Sequence, residues 1–440
     1  MHTLKAIREK LNISIKNTVE KKEEFVIDNK KDFVRTSKLS FEKMLRITLQ
    51  IEGQPIGKEL SAYFDYNVSM PSPSAFCQKR SKIKFKAFQY LFQDFVKSCL
   101  ADKNFKGYRL LAVDGSQLHI PKNESDSETF IFNGKNKEGW NRLHINAVYD
   151  LQNHIYINAV ITPGKETAEQ ASLLKMLETS SITSPFILIA DRGYESYDMI
   201  YHLLTKNIPF VFRVRSPKSN GAILNKASLP EESAFDIDFT LKVASSSSYG
   251  RKQAKKEITE QGYRVIAQQN HPFLSKEQKT YIFDTFRVVK LQLSSGEEEY
   301  LITNLSTEKF TKEDIEKLYA MRWGIETSFR ELKYDCTLLQ VHSKKVEYIK
   351  QEIYAKLTMY NFSRMITESL NQYVPHGKKY EHKTNFSLAV LYCKQFFLEL
   401  ITPPQLKELV LRFTVPIRPD RSYERDIKKK QPKSFQYRIA

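Results

Sequence analysis

Tyr319, Arg322, Glu326 and Lys333 are spaced so that, at ~100° per residue, all four fall within about 60° of one helix face. Arg and Lys there would flank a single carboxylate. Such a set can hold a phosphodiester beside a carboxylate that binds a divalent cation. The plainer alternative is a solvated helix with paired surface charges. Leu318, Met321, Ile325, Phe329 and Leu332 form a neighbouring apolar stripe, so the spacing predicts a helix that buries one side and carries the charged set at the rim.

Two aspartates share a second pattern. Asp114 follows the apolar run Leu110, Leu111, Ala112, Val113 and precedes Gly115 and Ser116, which predicts a buried strand with a carboxylate at its tip. Asp191 follows Phe186, Ile187, Leu188, Ile189, Ala190 and precedes Arg192 and Gly193. Either alone is ordinary turn or cap chemistry. With Glu326 they make a hard-oxygen set suited to two magnesium or manganese ions.

These residues must be positioned by a large, basic chain. Its 440 residues correspond to about three domains, and 41% are hydrophobic. Lys and Arg number 69 against 51 Asp and Glu, a formal charge of +18, which favours a polyanionic partner such as nucleic acid. Cys77, Cys99, Cys336 and Cys393 are scattered without metal spacing, as expected of a reduced cytosolic protein. Neither a signal-peptide pattern at the N-terminus nor an apolar stretch of ~20 residues is present in the sequence, so secretion and membrane insertion are not expected.

Residues 1–105 read as a helical, DNA-binding region. Phe41, Met44, Leu45 and Leu49 recur at helical spacing, and Pro71 to Ser74 make a break. Beyond it, Ala75 to Val96 reads as one helix, with Lys79, Arg80, Lys82, Lys84 and Lys86 as a basic face for DNA or for solvent.

Residues 106–215 predict the Asp114 strand, then a hairpin from Leu143 to Ile161 turning near Asp150 to Asn153. A helix opened by Thr167 and Gln170 as a capping box follows, then the Asp191 strand, a helix over Tyr197 to Leu204, and a strand over Phe210 to Val214. Three strands, a helix, a strand, a helix and a strand is the order of a ribonuclease-H-like fold, an α/β core around a mixed five-stranded sheet. In that fold the first and fourth strands are neighbours, which would bring Asp114 and Asp191 together.

Residues 216–300 read as a β-rich insertion expected to project from that sheet, with strands over Thr280 to Phe283 and Phe286 to Leu293. The core is expected to resume over 301–370, with Thr311 capping the charged helix, a Phe310 and Ile315 staple, and an amphipathic helix from Tyr348 to Thr367. Residues 371–440 read as helical, with a basic tail from Arg418.

With Asp114, Asp191 and the four-residue pattern placed, the chain resembles the bacterial DDE transposases of the insertion-sequence four family, known for this YREK signature. The resemblance spans residues 106–370 and includes Leu301 to Leu305 before the helix. It implies metal-dependent cutting of double-stranded DNA at terminal inverted repeats, then joining of 3′ ends to target DNA by a homodimer in a synaptic complex. Asp114, Asp191 and Glu326 would hold two Mg2+ ions, with Mn2+ as a substitute, while Tyr319, Arg322 and Lys333 would position phosphates. Family relatives often pass through a hairpin at the transposon end. Trp323 is then either a stacking partner for an extruded base or a core residue, and Arg213 and Arg215 either line the DNA path or serve the framework. A nuclease or resolvase that cuts without joining, and an inactive transposase-derived DNA-binding protein, are the competing expectations.

Overall fold

A computed structural model describes residues 2–417 apart from 100–103, 133–138, 166–168, 180–183, 226, 247–251, 268–270, 272, 275–278, 294–295, 376 and 378–379. The first part is helical: α1 (His2–Glu20), α2 (Lys22–Phe25), α3 (Phe41–Gln50), α4 (Ile56–Tyr63), α5 (Pro73–Arg80) and α6 (Lys86–Cys99). Next come β1 (Arg109–Ile120), β2 (Phe130–Ile131), β3 (Trp140–Asp150), β4 (Ile155–Pro163), α7 (Glu169–Glu178), β5 (Phe186–Ala190), α8 (Tyr197–Thr205) and β6 (Phe210–Val214). Then follow β7 (Phe235–Ser245), α9 (Lys252–Glu260), β8 (Tyr263–Ile266), β9 (Thr280–Gln292) and β10 (Glu298–Thr303). The chain continues through α10 (Lys312–Met321), α11 (Trp323–Tyr334), α12 (Val346–Asn371), β11 (His382–Thr384), α13 (Phe386–Phe397), α14 (Pro403–Arg412) and β12 (Thr414–Pro416). Thr167 and the basic tail from Arg418 lie outside the described residues.

One large mixed sheet organises the molecule, in the order β2, β3, β1, β5, β6, β10, β9, β7, β8, with β4 on β3. The antiparallel β1, β3 and β4 use the alternating residues of the expected hairpin. Parallel pairing of β1 with β5 and of β5 with β6 is made through α7 and α8, since parallel neighbours need a crossover connection. Leu110 to Val113 and Ile187 to Ala190 are fully buried, as their unbroken apolar runs require of central parallel strands.

The region after β6 differs from the expected projecting module. β10 pairs with β6 antiparallel, β9 with β10 and β7 with β9, so these strands continue the same sheet. The two strands expected after Thr280 are one, β9, whose irregularity opposite Phe239 and Leu241 separates its halves.

Helices lie against this sheet around α12, which is buried on nearly all sides and so is not the amphipathic helix its sequence suggests. α1, α3, α6, α13 and β4 all pack on it, and one hydrophobic cluster runs from the N-terminal helices through the sheet to α14. Asn361 of α12 accepts from Tyr156 N and donates to Tyr156 O, both at 2.8 Å, which satisfies backbone groups of β4.

The helix expected over Ala75 to Val96 is broken. Backbone bonds from Ile27 to Lys82 and from Lys84 to Phe25 hold the intervening residues extended, a tertiary pairing that overrides local periodicity. Arg80, expected on a basic outer face, is buried and paired with Glu352 at 2.9 Å. Glu352 also accepts from His342 N, and Gln351 accepts from Arg80 Nε at 2.9 Å. Burial alone would raise the Glu352 carboxyl, but Arg80 and His342 hold it down at about 2.

Candidate active site

Val113 and Ala190 are register partners across the parallel β1 and β5, so Asp114 and Asp191 leave adjacent strands at the same level. Asp191 ends its strand as expected: it caps a 3-10 turn at Arg192–Tyr194, accepting from Gly193 N at 2.8 Å. Asp114 does not. β1 runs on to Ile120 because the β3 hairpin keeps pairing with it, and Asp114 sits opposite Ala147 where β5 has already stopped. The carboxylate therefore sits where β1 loses its β5 neighbour.

Burial pushes the Asp114 carboxyl up to about 7; the Gly115 N–H and Arg322 oppose the rise, and the Asp191 and Glu326 charges add to it. Three acidic residues from distant parts of the chain thus share one electrostatic neighbourhood. Glu326 is brought there by α11, which packs on β1. A patch of rings fixes that helix: Tyr156 lies against Phe329 with centroids 5.9 Å apart, and Ser328 Oγ bonds to the Tyr156 hydroxyl at 2.9 Å.

The charged helix begins as expected. Thr311 and Asp314 form a capping box, and Phe310 and Ile315 are buried. It is two helices rather than one, because the chain tightens at Arg322, where Arg322 N bonds to Tyr319 O and Ile325 N to Arg322 O in i to i+3 fashion. Tyr319 and Arg322 are buried, not at a rim. Arg322 bonds to Glu326 at 2.9 Å, and its guanidinium carbon lies 5.5 Å from the Tyr319 ring centroid and 5.2 Å from that of Trp323. Lys333 is half-buried; desolvation lowers its pKa while the Asp114 charge pulls it back up. Trp323 is 49% exposed, so the core reading of that residue is corrected: it lies at the surface beside Arg322.

Arg213 and Arg215 are committed to other carboxylates. Arg213 pairs with Glu299 of β10 at 3.1 Å, and Arg215 with Glu195 at 2.9 Å while donating to Gly221 O at 2.7 Å. These contacts tie the end of β6 to its neighbours.

Two further residues at the site are not evident from the sequence. Glu169, at the start of α7, and His144, on β3, lie 3.3 Å apart, with both side chains against Gly115 and Glu169 also reaching Gly193. Their one trace in the sequence is a glycine close behind each aspartate. A Cβ on Gly115 would stand 2.1 Å from His144 Nε2, and one on Gly193 would stand 3.0 Å from Asp191 Oδ1, so only glycine leaves room for these side chains.

The donor set fits a hard divalent cation in its chemistry, because all three members are carboxylates and the charges of Asp191 and Glu326 both act on Asp114. The set is not drawn together. Among the described residues no three His, Cys, Asp or Glu side chains converge closely enough to hold an ion as they stand. No helix among them is long and apolar enough to cross a membrane.

No curated protein matches the chain. Among solved structures, it is similar to a piggyBac transposase synaptic complex with hairpin DNA, at 11% identity and a TM-score of 0.43, over 93% of this chain and 82% of that one. The model of the transposase DDE domain matches residues 105–362, from just before the Asp114 strand to within α12. That span covers more than half of the sequence and includes both aspartates and Glu326, and the chain belongs to the transposase DDE domain family.

Proposed function

We propose that the protein is a DNA transposase of the insertion-sequence four type with a ribonuclease-H-like core. It binds the terminal inverted repeats of an insertion sequence, cuts the ends by metal-dependent phosphodiester hydrolysis with a hairpin stage, and joins the 3′ ends to target DNA as a homodimer. The observation that carries this reading is the pairing of Val113 with Ala190, which sets Asp114 and Asp191 at one level on adjacent strands, with α11 packed on β1 to bring Glu326 toward them. The order β4, β3, β1, β5, β6 within the sheet supports the fold assignment.

In this reading Asp114, Asp191 and Glu326 hold two Mg2+ or Mn2+ ions. Such ions, when bound, activate the attacking oxygen and stabilise the leaving one. The chain's own groups do the rest. Arg322, at the junction of α10 and α11, grips a phosphate through its fork and Lys333 adds a point charge beside Asp114. Tyr319 stacks against the Arg322 guanidinium and fixes its direction. Trp323 offers an exposed ring to an unpaired base. Arg213 and Arg215 keep β6 in place.

The test is cleavage and joining of end-containing DNA by purified protein in Mg2+. Asp114→Asn, Asp191→Asn and Glu326→Gln should each abolish cutting while DNA binding persists. Wild-type-like cutting by any one removes that residue from the site. Cleavage without a joined product would instead identify a nuclease.

A further inference from the structure

We propose that Glu169 is a fourth carboxylate of the cation site and that His144 positions it, an inference that rests on reading Asp114, Asp191 and Glu326 as metal ligands. Glu169 reaches across the gap between the two aspartate-bearing strands. Its Oε1 lies 2.6 Å from where a Cβ on Gly115 would stand, and its Oε2 lies 3.2 Å from the equivalent point on Gly193. Gly115 directly follows Asp114, and the Gly193 position is also the one that Asp191 Oδ1 approaches. One oxygen of Glu169 therefore lies against the backbone that follows Asp114, and the other approaches the same point as Asp191 Oδ1. A carboxylate with only a structural ion pair to make has no need to span both.

The side chains behind it support a ligand role. His144 is 5% exposed, and its Nε2, which makes no hydrogen bond, faces Glu169 Oε1 at 3.3 Å beside Gly115. A buried imidazole that donates to a metal-binding carboxylate fixes its orientation, and Nε2 is the atom placed to do so when the carboxylate closes on a cation. Tyr194 is an independent sign. Its ring is fully buried and its hydroxyl has no hydrogen-bond partner, yet it lies in the combined field of Glu169, Asp114 and Asp191. A buried hydroxyl without a partner is costly, and a cation with its water shell among those carboxylates supplies one.

The experiment is a Mn2+ titration of the full-length protein, with free Mn2+ counted by electron paramagnetic resonance. Glu169→Gln should weaken Mn2+ binding at least about 10-fold, Glu169→Asp should restore part of it, and His144→Gln should cost less than Glu169→Gln. Thermal midpoints in chelator-treated buffer should stay near wild type, which separates ligand loss from unfolding. Fe2+ with ascorbate and peroxide gives a readout on the unmutated chain: hydroxyl-radical cuts are expected near residues 114, 169 and 191. Glu169→Gln binding Mn2+ like wild type while Asp191→Asn does not, or the absence of an Fe2+ cut near 169, overturns the inference and leaves the proposed function standing. If Asp114→Asn and Asp191→Asn also bind like wild type, the proposed function fails with it.

Discussion

Arg322 Nη2 lies 2.9 Å from Oε1 of Glu326, one helical turn further along, so a guanidinium whose charge acts on Asp114 also holds Glu326. A phosphate arriving at Arg322 would compete with Glu326 for the same fork and release it toward the aspartates. Arg322→Ala should therefore weaken binding to end DNA and reduce the slope of log K against log salt by about 0.9, the loss of one phosphate contact. Lys333→Ala should do the same. Fluorescence anisotropy across a salt series measures both; unchanged affinity and slope in both variants would return these charges to a purely structural role.

Trp323 is half-exposed, and removing it should not disturb the core. Trp323→Ala should change stability by no more than about 0.5 kcal/mol. If the ring stacks on an extruded base, the same variant should lose about 1–3 kcal/mol of binding to an end carrying an unpaired base. Thermal unfolding and 2-aminopurine fluorescence at the transposon end read the two effects separately.

The buried Arg80 and Glu352 pair joins α5 to α12, and it makes stability depend on acid. Glu352 has an ordinary value of 4.5 and is held at about 2 in the fold, so its contribution is complete above pH ~4.5 and fades as pH falls toward about 2. At pH 7, Glu352→Gln should cost about 3–5 kcal/mol by leaving Arg80 buried without its counter-ion. The gap to wild type should narrow at pH 3. Urea midpoints at the two pH values check the sign.

Arg287 of β9 ties the strands after β6 to the start of α10. It is buried, bonds to Asp236 at 3.0 Å, and donates to Leu305 O at 2.9 Å and Phe310 O at 3.0 Å. Arg287→Ala should cost ~3 kcal/mol and should raise hydrogen exchange over residues 305–311. A module hanging free of the sheet would show no such effect at α10.

Much of the centre was readable in advance because its signals are local. Apolar runs mark β1 and β5, alternation marks β3 and β4, and Thr311 with its neighbours marks the start of α10. What remained hidden depends on partners remote in the chain. The pairing of β10 with β6 leaves no trace in either strand's pattern, since a half-buried strand fits many neighbours. Periodicity could not break the helix between Arg80 and Lys86, because residues 25–27 do that. Nothing local distinguishes Glu169 from any acidic residue near a helix start, and only its close approach to Gly115 and Gly193 sets it apart. The choice between the two readings of Trp323 needed the turn at Arg322, just after which the ring lies exposed on α11.

Pairing of β6 with β10 also governs the order in which the chain can be made. Val214 pairs with Tyr300, so during synthesis the outer edge of β6 stays open until the whole intervening segment has left the ribosome. At about 5–20 residues per second that is several seconds of bare strand edge, an invitation to join another nascent chain. The helix that carries Glu326 is made later still. A fragment that stops short of Tyr300 leaves the β6 edge without the strand that covers it.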